Sequence, residues 1–418
     1  MLDGRAMRAI VMQKQGNSSK EYKMKNQYFG DINDFRKYII IKGLAEAGME
    51  PISIIWMLTE DIENNKDGRK IKYIDTDKYK NIDSELYSIL TKNISNRNVS
   101  VIENSNYFRN VTYFNELVPY KEILRREWFE RVKKYIQKSK LVFFDPDNGI
   151  EIKSIRKNSP ISAKYIYWSE IEELLNNNIS ILIYQHFSRE KRDAHIKRIA
   201  KRIFEIRKNL RIIIFRTPHT FFLLIVPNSI KKEILALLEH FKNWNENEIA
   251  LYIIESISDN DIAILPAFYN NKLEYIYYEY IESMNKFDFS ELLSLIPEIE
   301  NINKFYKIRE GSIHEHSLSF PLYEEDKIIQ KFRDIAYNLK IVIPFNWMKW
   351  KEGEELYNRN IEYLDLDIIT LCKLITAIIR NDRFCEGFLI DAFENRKILK
   401  LLYAIKANFD EDGNTIFV

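Results

Sequence analysis

Leu141-Val142-Phe143-Phe144-Asp145-Pro146-Asp147-Asn148-Gly149-Ile150-Glu151 is the stretch whose reading decides the fold. Four apolar residues in a row lack the polar alternation of a half-exposed strand, so the strand they predict is covered on both faces, as in a parallel sheet. The run breaks off at Asp145, where Pro146 fixes φ and Gly149 permits a tight exit. In open α/β sheets ligands gather outside the carboxyl ends of the strands. That rule makes Asp145, Asp147 and Asn148 candidate catalytic residues. The same residue types compose ordinary turns, and the site reading draws its weight from the surrounding chain.

Working outward, residues 179–187 (ISILIYQHF) predict a second buried strand ending in Tyr184, Gln185 and His186, and residues 52–58 (ISIIWML) a third. Two more fall within 211–227, joined at Thr217-Pro218-His219, with Arg216 at the end of the first. Helical spacing runs from Phe35 to Ala47 behind the capping residues Asp31, Asn33 and Asp34, and again over Tyr120–Lys138, Ser169–Leu175, Arg189–Arg211 and Ser229–Trp244. A short helix is expected near Asp83–Leu90 and short strands at Lys70–Ile74, Val99–Glu103 and Ile249–Ile254. This alternation predicts a Rossmann-like α/β domain over residues 24–256, with a mostly parallel sheet and helices on both faces. A polar leader (1–23) precedes it; a mixed connector (257–325) and a mainly helical domain (326–418) follow.

With 63 basic and 61 acidic residues, the chain carries no global field that would attract a polyanion. Any nucleic-acid contact must be local, and the basic helix at 189–211, including Arg189, is the candidate. Two cysteines, Cys372 and Cys385, match no zinc spacing and fit a reducing cytoplasm, the expected location. No apolar run reaches the roughly 20 residues needed to cross a bilayer. No P-loop and no GxGxxG occurs.

Asp145 and the Tyr184–His186 strand end, joined by Asp31 and Lys37 from the first helix and Arg216 from another strand, supply carboxylates, imidazole, amide and cation to one rim. Tyr165 and Trp168 are placed to stack a base or to fill the core. The His314-Glu315-His316 triplet lacks helical metal spacing and reads as a solvated loop.

Gly30-Asp31-Ile32-Asn33-Asp34-Phe35-Arg36-Lys37-Tyr38 resembles the N-terminal signature of RlmJ-type ribosomal RNA adenine-N6 methyltransferases, and Asp145-Pro146 resembles their Asp-Pro-Pro-Tyr motif in the same chain order. Over residues 25–225 the resemblance implies a class I methyltransferase-like fold that binds S-adenosylmethionine and presents a base amino group to the Asp-Pro loop. It implies cofactor contacts from Gly30, Asp31, Asp34, Lys37 and Trp56, with Asp145, Asp147, Asn148 and His186 at the chemistry. Tyr165, Trp168, Tyr184, Gln185, Arg189 and Arg216 are then substrate contacts. Two departures stand out: ISIIWMLTED, where that family has its glycine-rich loop, holds no glycine, and DPDNG lacks the tyrosine. The N-terminal strings YFGDINDF, WMLT and FFDPDNGIE also resemble an uncharacterised bacterial family, and the tail from NWMKW onward a second, helical one. Two other functions remain open: a Mg²⁺-dependent phosphoesterase or nuclease using Asp145, Asp147 and Glu151, and a non-catalytic interaction protein whose tail offers Trp347, Trp350, Arg383 and Glu386.

Overall fold

The computed structural model describes residues 29–59, 71–95, 97–245, 247–258, 261–268, 272–309, 313–314, 317–318, 322–358, 362–410 and 412–413. The expected leader lies outside them, as do most of the expected Lys70–Ile74 strand's flanking loop and Glu315 and His316. The described residues form two compact units. One takes in those up to 227 together with 244–264; the other takes in 228–243 and those from 265 onward.

The first unit is built on an eight-stranded sheet. Its strands are β1 (Ile52–Ile55), β2 (Val111–Phe114), β3 (Leu141–Phe144), β6 (Ser180–His186), β7 (Leu210–Arg216), β8 (Thr220–Pro227), β9 (Ala250–Ser258) and β10 (Asp261–Pro266); between β3 and β6 the two-residue strands β4 (Gly149–Ile150) and β5 (Tyr165–Ile166) pair with each other. Across the sheet the order is β2-β1-β3-β6-β8-β7-β9-β10. β2, β1, β3 and β6 are parallel, whereas β8 is antiparallel to β6 and β7, and β9 to β7. The sheet is therefore mixed rather than mostly parallel. The link Thr217-Pro218-His219 is too short for a crossover, so β7 and β8 must form a hairpin. From β1 the chain passes to β2 on one side and later to β3 on the other. The gap between the carboxyl ends of β1 and β3 is thus a topological switch point.

Two short expected strands are something else: Lys72–Asp75 is a 3-10 turn and Ser100–Glu103 a helical turn. The edge strand is Val111–Phe114, in which only Phe114 is buried. A strand with a single neighbour and one inward residue leaves almost no apolar pattern to read.

Alternate strand residues face opposite sides. On one side Ile55, Val142, Phe144 and Ile183 share a core with the helices α2 (Glu122–Tyr135), α3 (Trp168–Asn176) and α4 (Arg192–Ile206). On the other side lies helix α1 (Ile32–Leu44), whose Lys37 ammonium stands 5.6 Å from the ring centres of both Trp56 and Tyr184. This helix is buried almost all round, including Asn33, Asp34, Arg36 and Lys37. Charges taken out of water in this way must be paired.

The second unit is largely helical, with Lys231–Phe241, Lys272–Glu282, Lys327–Asn338, Ile368–Asn381, Phe388–Glu394 and Lys397–Ala407 and two short antiparallel strand pairs. The stretch read as a connector is structured: the sheet continues into it through β10, and Lys272–Glu282 packs against Lys231–Phe241. That second helix, read in the sequence as closing the α/β unit, belongs with the helical one. No helix of the described residues is long and apolar enough to cross a membrane.

Candidate functional site

The site begins at the amino end of α1. Asp31 caps the helix, its Oδ1 accepting from Asn33 N (2.8 Å) and Asp34 N (3.0 Å). Gly30, at φ +82°, turns the chain so that its N–H donates to Asp34 Oδ2 (2.9 Å). One turn on, Lys37 Nζ donates to Asp34 Oδ1 and to Asp145 Oδ2, both at 2.7 Å. Asp145 itself is the first residue beyond β3, and its N–H donates to Ile55 O at the end of β1 (3.2 Å), so it bridges the two strands of the switch point. Helix α1 and the central strands are tied together by one buried cation shared between two carboxylates.

This network is short of positive charge. Burial pushes the Asp145 carboxyl up to about 6 against the pull of Lys37, with Asp34 and Asp147 adding repulsion. Asp31 is also raised to about 6, by burial first and by the charge of Asp34 second. Burial alone would lower the Lys37 ammonium, but Asp145 and Asp34 outweigh it and hold it above its ordinary value. The lysine is therefore fixed as a cation, and Asp145 and Asp31 are the groups able to change protonation. Asp145 keeps 17% of its side chain exposed, against 8% for Lys37 and 6% for Asp34. It is the end of this relay that meets solvent. Beside it, Asp147 accepts from Thr59 Oγ1 (3.2 Å) and lies 3.7 Å from Lys164 Nζ. Two polar atoms at this end of α1, Tyr38 Oη and Asn33 Oδ1, are buried without a hydrogen-bond partner among the described residues.

The turn that carries Asp145 and Asp147 is held from behind by Gln185. Its Oε1 accepts from Ile150 N (2.7 Å), and its Nε2 donates to His186 O (2.8 Å) and, at 3.5 Å, to Asn148 O. Gly149 lies at φ +92°, and a Cβ there would stand 2.3 Å from Gln185 Oε1. The carboxamide fills the space a side chain would need. Gln185 is thus a support of the loop and not a free substrate contact.

Of the residues singled out in the sequence, Gly30, Asp31, Asp34, Lys37, Trp56, Asp145, Asp147, Tyr184 and Gln185 come together here. Trp56 is buried, with its indole N–H donating to Glu103 Oε1 (2.8 Å), so it walls the site. His186 is exposed and meets the network through the Tyr184 ring, 5.0 Å away. Asn148 contributes its backbone, donating to Lys164 O (3.0 Å).

The other candidates lie elsewhere. Trp168 belongs to the core on the opposite face, under the Arg202 guanidinium (4.4 Å), and its N–H donates to Glu151 Oε1 (2.8 Å). Glu151 thus caps α3, away from Asp145. Tyr165 is buried in β5, its carbonyl held by Arg125 (3.1 Å). Arg216 pairs with Asp193 (3.0 Å), and Arg189 is an exposed residue ahead of α4. Among the described residues no three His, Cys, Asp or Glu side chains cluster as metal ligands, so Asp145, Asp147 and Glu151 are not assembled as a set. Sequence reading missed Thr59 and Tyr38. Thr59 had a signal, being a polar residue just past a strand's carboxyl end; the burial of Tyr38 had none.

Residues 284–411, within the second unit, match a family of unknown function, DUF6508. No curated protein and no solved structure matches the chain.

Proposed function

We propose that the first unit is a methyltransferase-like enzyme that holds an adenosyl sulfonium at the β1–β3 crevice and presents an amino group to Asp145. The observation that carries this reading is the Asp145 carboxylate, salt-linked to Lys37 and partly exposed at the sheet's switch point. The residues present fit a cationic adenosyl ligand on two counts. The site has more buried carboxylates than cations, and Tyr38 Oη and Asn33 Oδ1 offer an unused donor and acceptor. The exit of β1 differs from the methyltransferase resemblance, since no glycine stands between Ile52 and Thr59.

S-adenosylmethionine, when bound, supplies the methyl group. Asp145 accepts an N–H of the incoming amine and so aims its lone pair, while Lys37 keeps the carboxylate oriented. With its pKa near 6, Asp145 takes up the proton that the methylated amine sheds and releases it to solvent. For a nucleic-acid substrate, support comes from a cavity of about 650 Å³ lined by Lys153, Arg198, Lys201 and Arg202 beside Trp168. Because α4 packs on the face opposite α1, this groove would grip phosphate at a distance from Asp145 and not line the reacting atoms. A metal-dependent hydrolase has less support, since Glu151 is engaged at α3.

Thermal unfolding with S-adenosylmethionine, S-adenosylhomocysteine and Mg²⁺, paired with methyl-transfer assays on RNA and DNA, tests the proposal. Both adenosyl compounds should raise Tm, and Asp145→Asn should keep the fold and the ligand shift while losing transfer. Absence of any adenosyl-dependent shift, or undiminished transfer by Asp145→Asn, overturns it.

A further inference from the structure

The second unit contains a cavity of about 340 Å³, within the segment matched by DUF6508. That is the size of a small-molecule pocket. Helix α5 (Lys351–Asn358) faces it with Gly353, Glu354 and Tyr357, and helix α6 (Ile368–Asn381) with Leu374, Ala377, Ile378 and Asn381. The α6 residues are spaced i, i+3, i+4, i+7, a single stripe of one helix. The turn at Trp347 and the first residue of the next helix, Phe388, close the ends.

Its walls are fixed in place. A Cβ on Gly353 would stand 2.1 Å from Trp350 Cε3, so the indole lies against bare backbone in the first turn of α5. Lys373 Nζ sits 4.5 Å from that indole's centre, and Phe345 meets it edge-on at 5.5 Å. Tyr357 stacks on Phe388 (5.1 Å, 27°) and carries Lys397 Nζ 3.6 Å from its centre. The Tyr357 hydroxyl is buried beside the Asp391 carboxylate.

These features select a ligand. Among the described residues that line the cavity there is no Lys, Arg or His to meet a phosphate. A cage for an organic cation needs free ring faces converging on one point, but Lys373 and Lys397 already occupy faces of Trp350 and Tyr357, and Phe388 another. With those faces taken, the Trp347 ring and apolar side chains line the rest, which suits the π-face of a flat neutral ring. Glu354, Asn358 and Asn381 remain to pair with the donors and acceptors on that ring's rim. We propose that this cavity binds a neutral nucleoside through its base.

The full chain is titrated with adenosine, guanosine, cytidine and uridine, with choline and inorganic phosphate alongside, reading tryptophan fluorescence and calorimetric heat. At least one nucleoside should bind with Kd below about 1 mM, and choline and phosphate should not. Asn381→Leu and Trp347→Ala should each weaken binding by about tenfold or more, checked for folding by circular dichroism. A saturating excess of S-adenosylhomocysteine should leave nucleoside binding unchanged, which separates this site from the β1–β3 crevice. The proposal fails if no nucleoside binds, if choline or phosphate binds better, if S-adenosylhomocysteine displaces the nucleoside, or if both variants bind as the parent does.

Discussion

Replacing Lys37 by Met preserves side-chain length and deletes the cation that Asp34 and Asp145 share, each at 2.7 Å. Removing one partner of a buried ion pair costs about 3–5 kcal/mol, chiefly because the other charge stays behind. The residual exposure of Asp145 places the expected loss toward the lower end, about 3 kcal/mol at pH 7.5. The pH dependence has a definite sign. Without Lys37 the Asp145 carboxyl moves further above the value near 6 that it already has. The folded variant then binds protons that the unfolded chain, with an ordinary carboxyl, releases, so stability recovers as pH falls. Lowering the pH to 5 should therefore return a large part of the loss. The measurement is urea unfolding followed by amide exchange in α1 and β3 at both pH values, which isolates the first unit. A loss below about 1 kcal/mol at pH 7.5, or an equal loss at both pH values, would refute the picture of an acid pair dependent on one buried cation.

The parent chain should respond to pH in the same direction. Asp145 has its folded pKa near 6 against an ordinary 3.8, so its contribution is fully present below pH 4 and is lost as pH rises through 6, by at most about 3 kcal/mol. Amide exchange of β3 between pH 4.5 and 7.5 checks this after correction for intrinsic rates; rising local stability across that window would contradict it. Gln185→Leu strands Ile150 N and His186 O, and should cost about 1–3 kcal/mol for each backbone group left unpaired; faster exchange confined to the 145–151 turn and β6 is the expected signature. Gly149→Ala combines φ +92° with a 2.3 Å approach to Gln185 Oε1. It should lose at least about 2 kcal/mol, and the double variant with Gln185→Ala should recover the steric part but not the backbone strain.

The chain's one-dimensional pattern was enough for the alternation of apolar runs and amphipathic helices, because periodicity is a local property. β3, β6 and α4 could be placed from it to within a few residues, and so could the expectation that Asp145 ends a central strand. The capped start of α1 was equally readable in Asp31-Ile32-Asn33-Asp34. Only the tertiary structure could decide that α1 would be buried nearly all round, since Arg36 and Lys37 look solvent-facing until the partners that neutralise them, Glu248 and Asp145, are brought from more than a hundred residues away. The same holds for Gln185, whose amide is indistinguishable in sequence from a ligand contact until Gly149 and Ile150 are found against it. In the sequence Trp168 reads as a base-stacking or core side chain and Glu151 as a metal ligand beside Asp145. In space the pairing of β4 with β5 brings Glu151 to the start of α3, where it holds the Trp168 N–H and the indole joins the core on the face opposite α1, contacts that pairing between distant segments creates and no local pattern encodes.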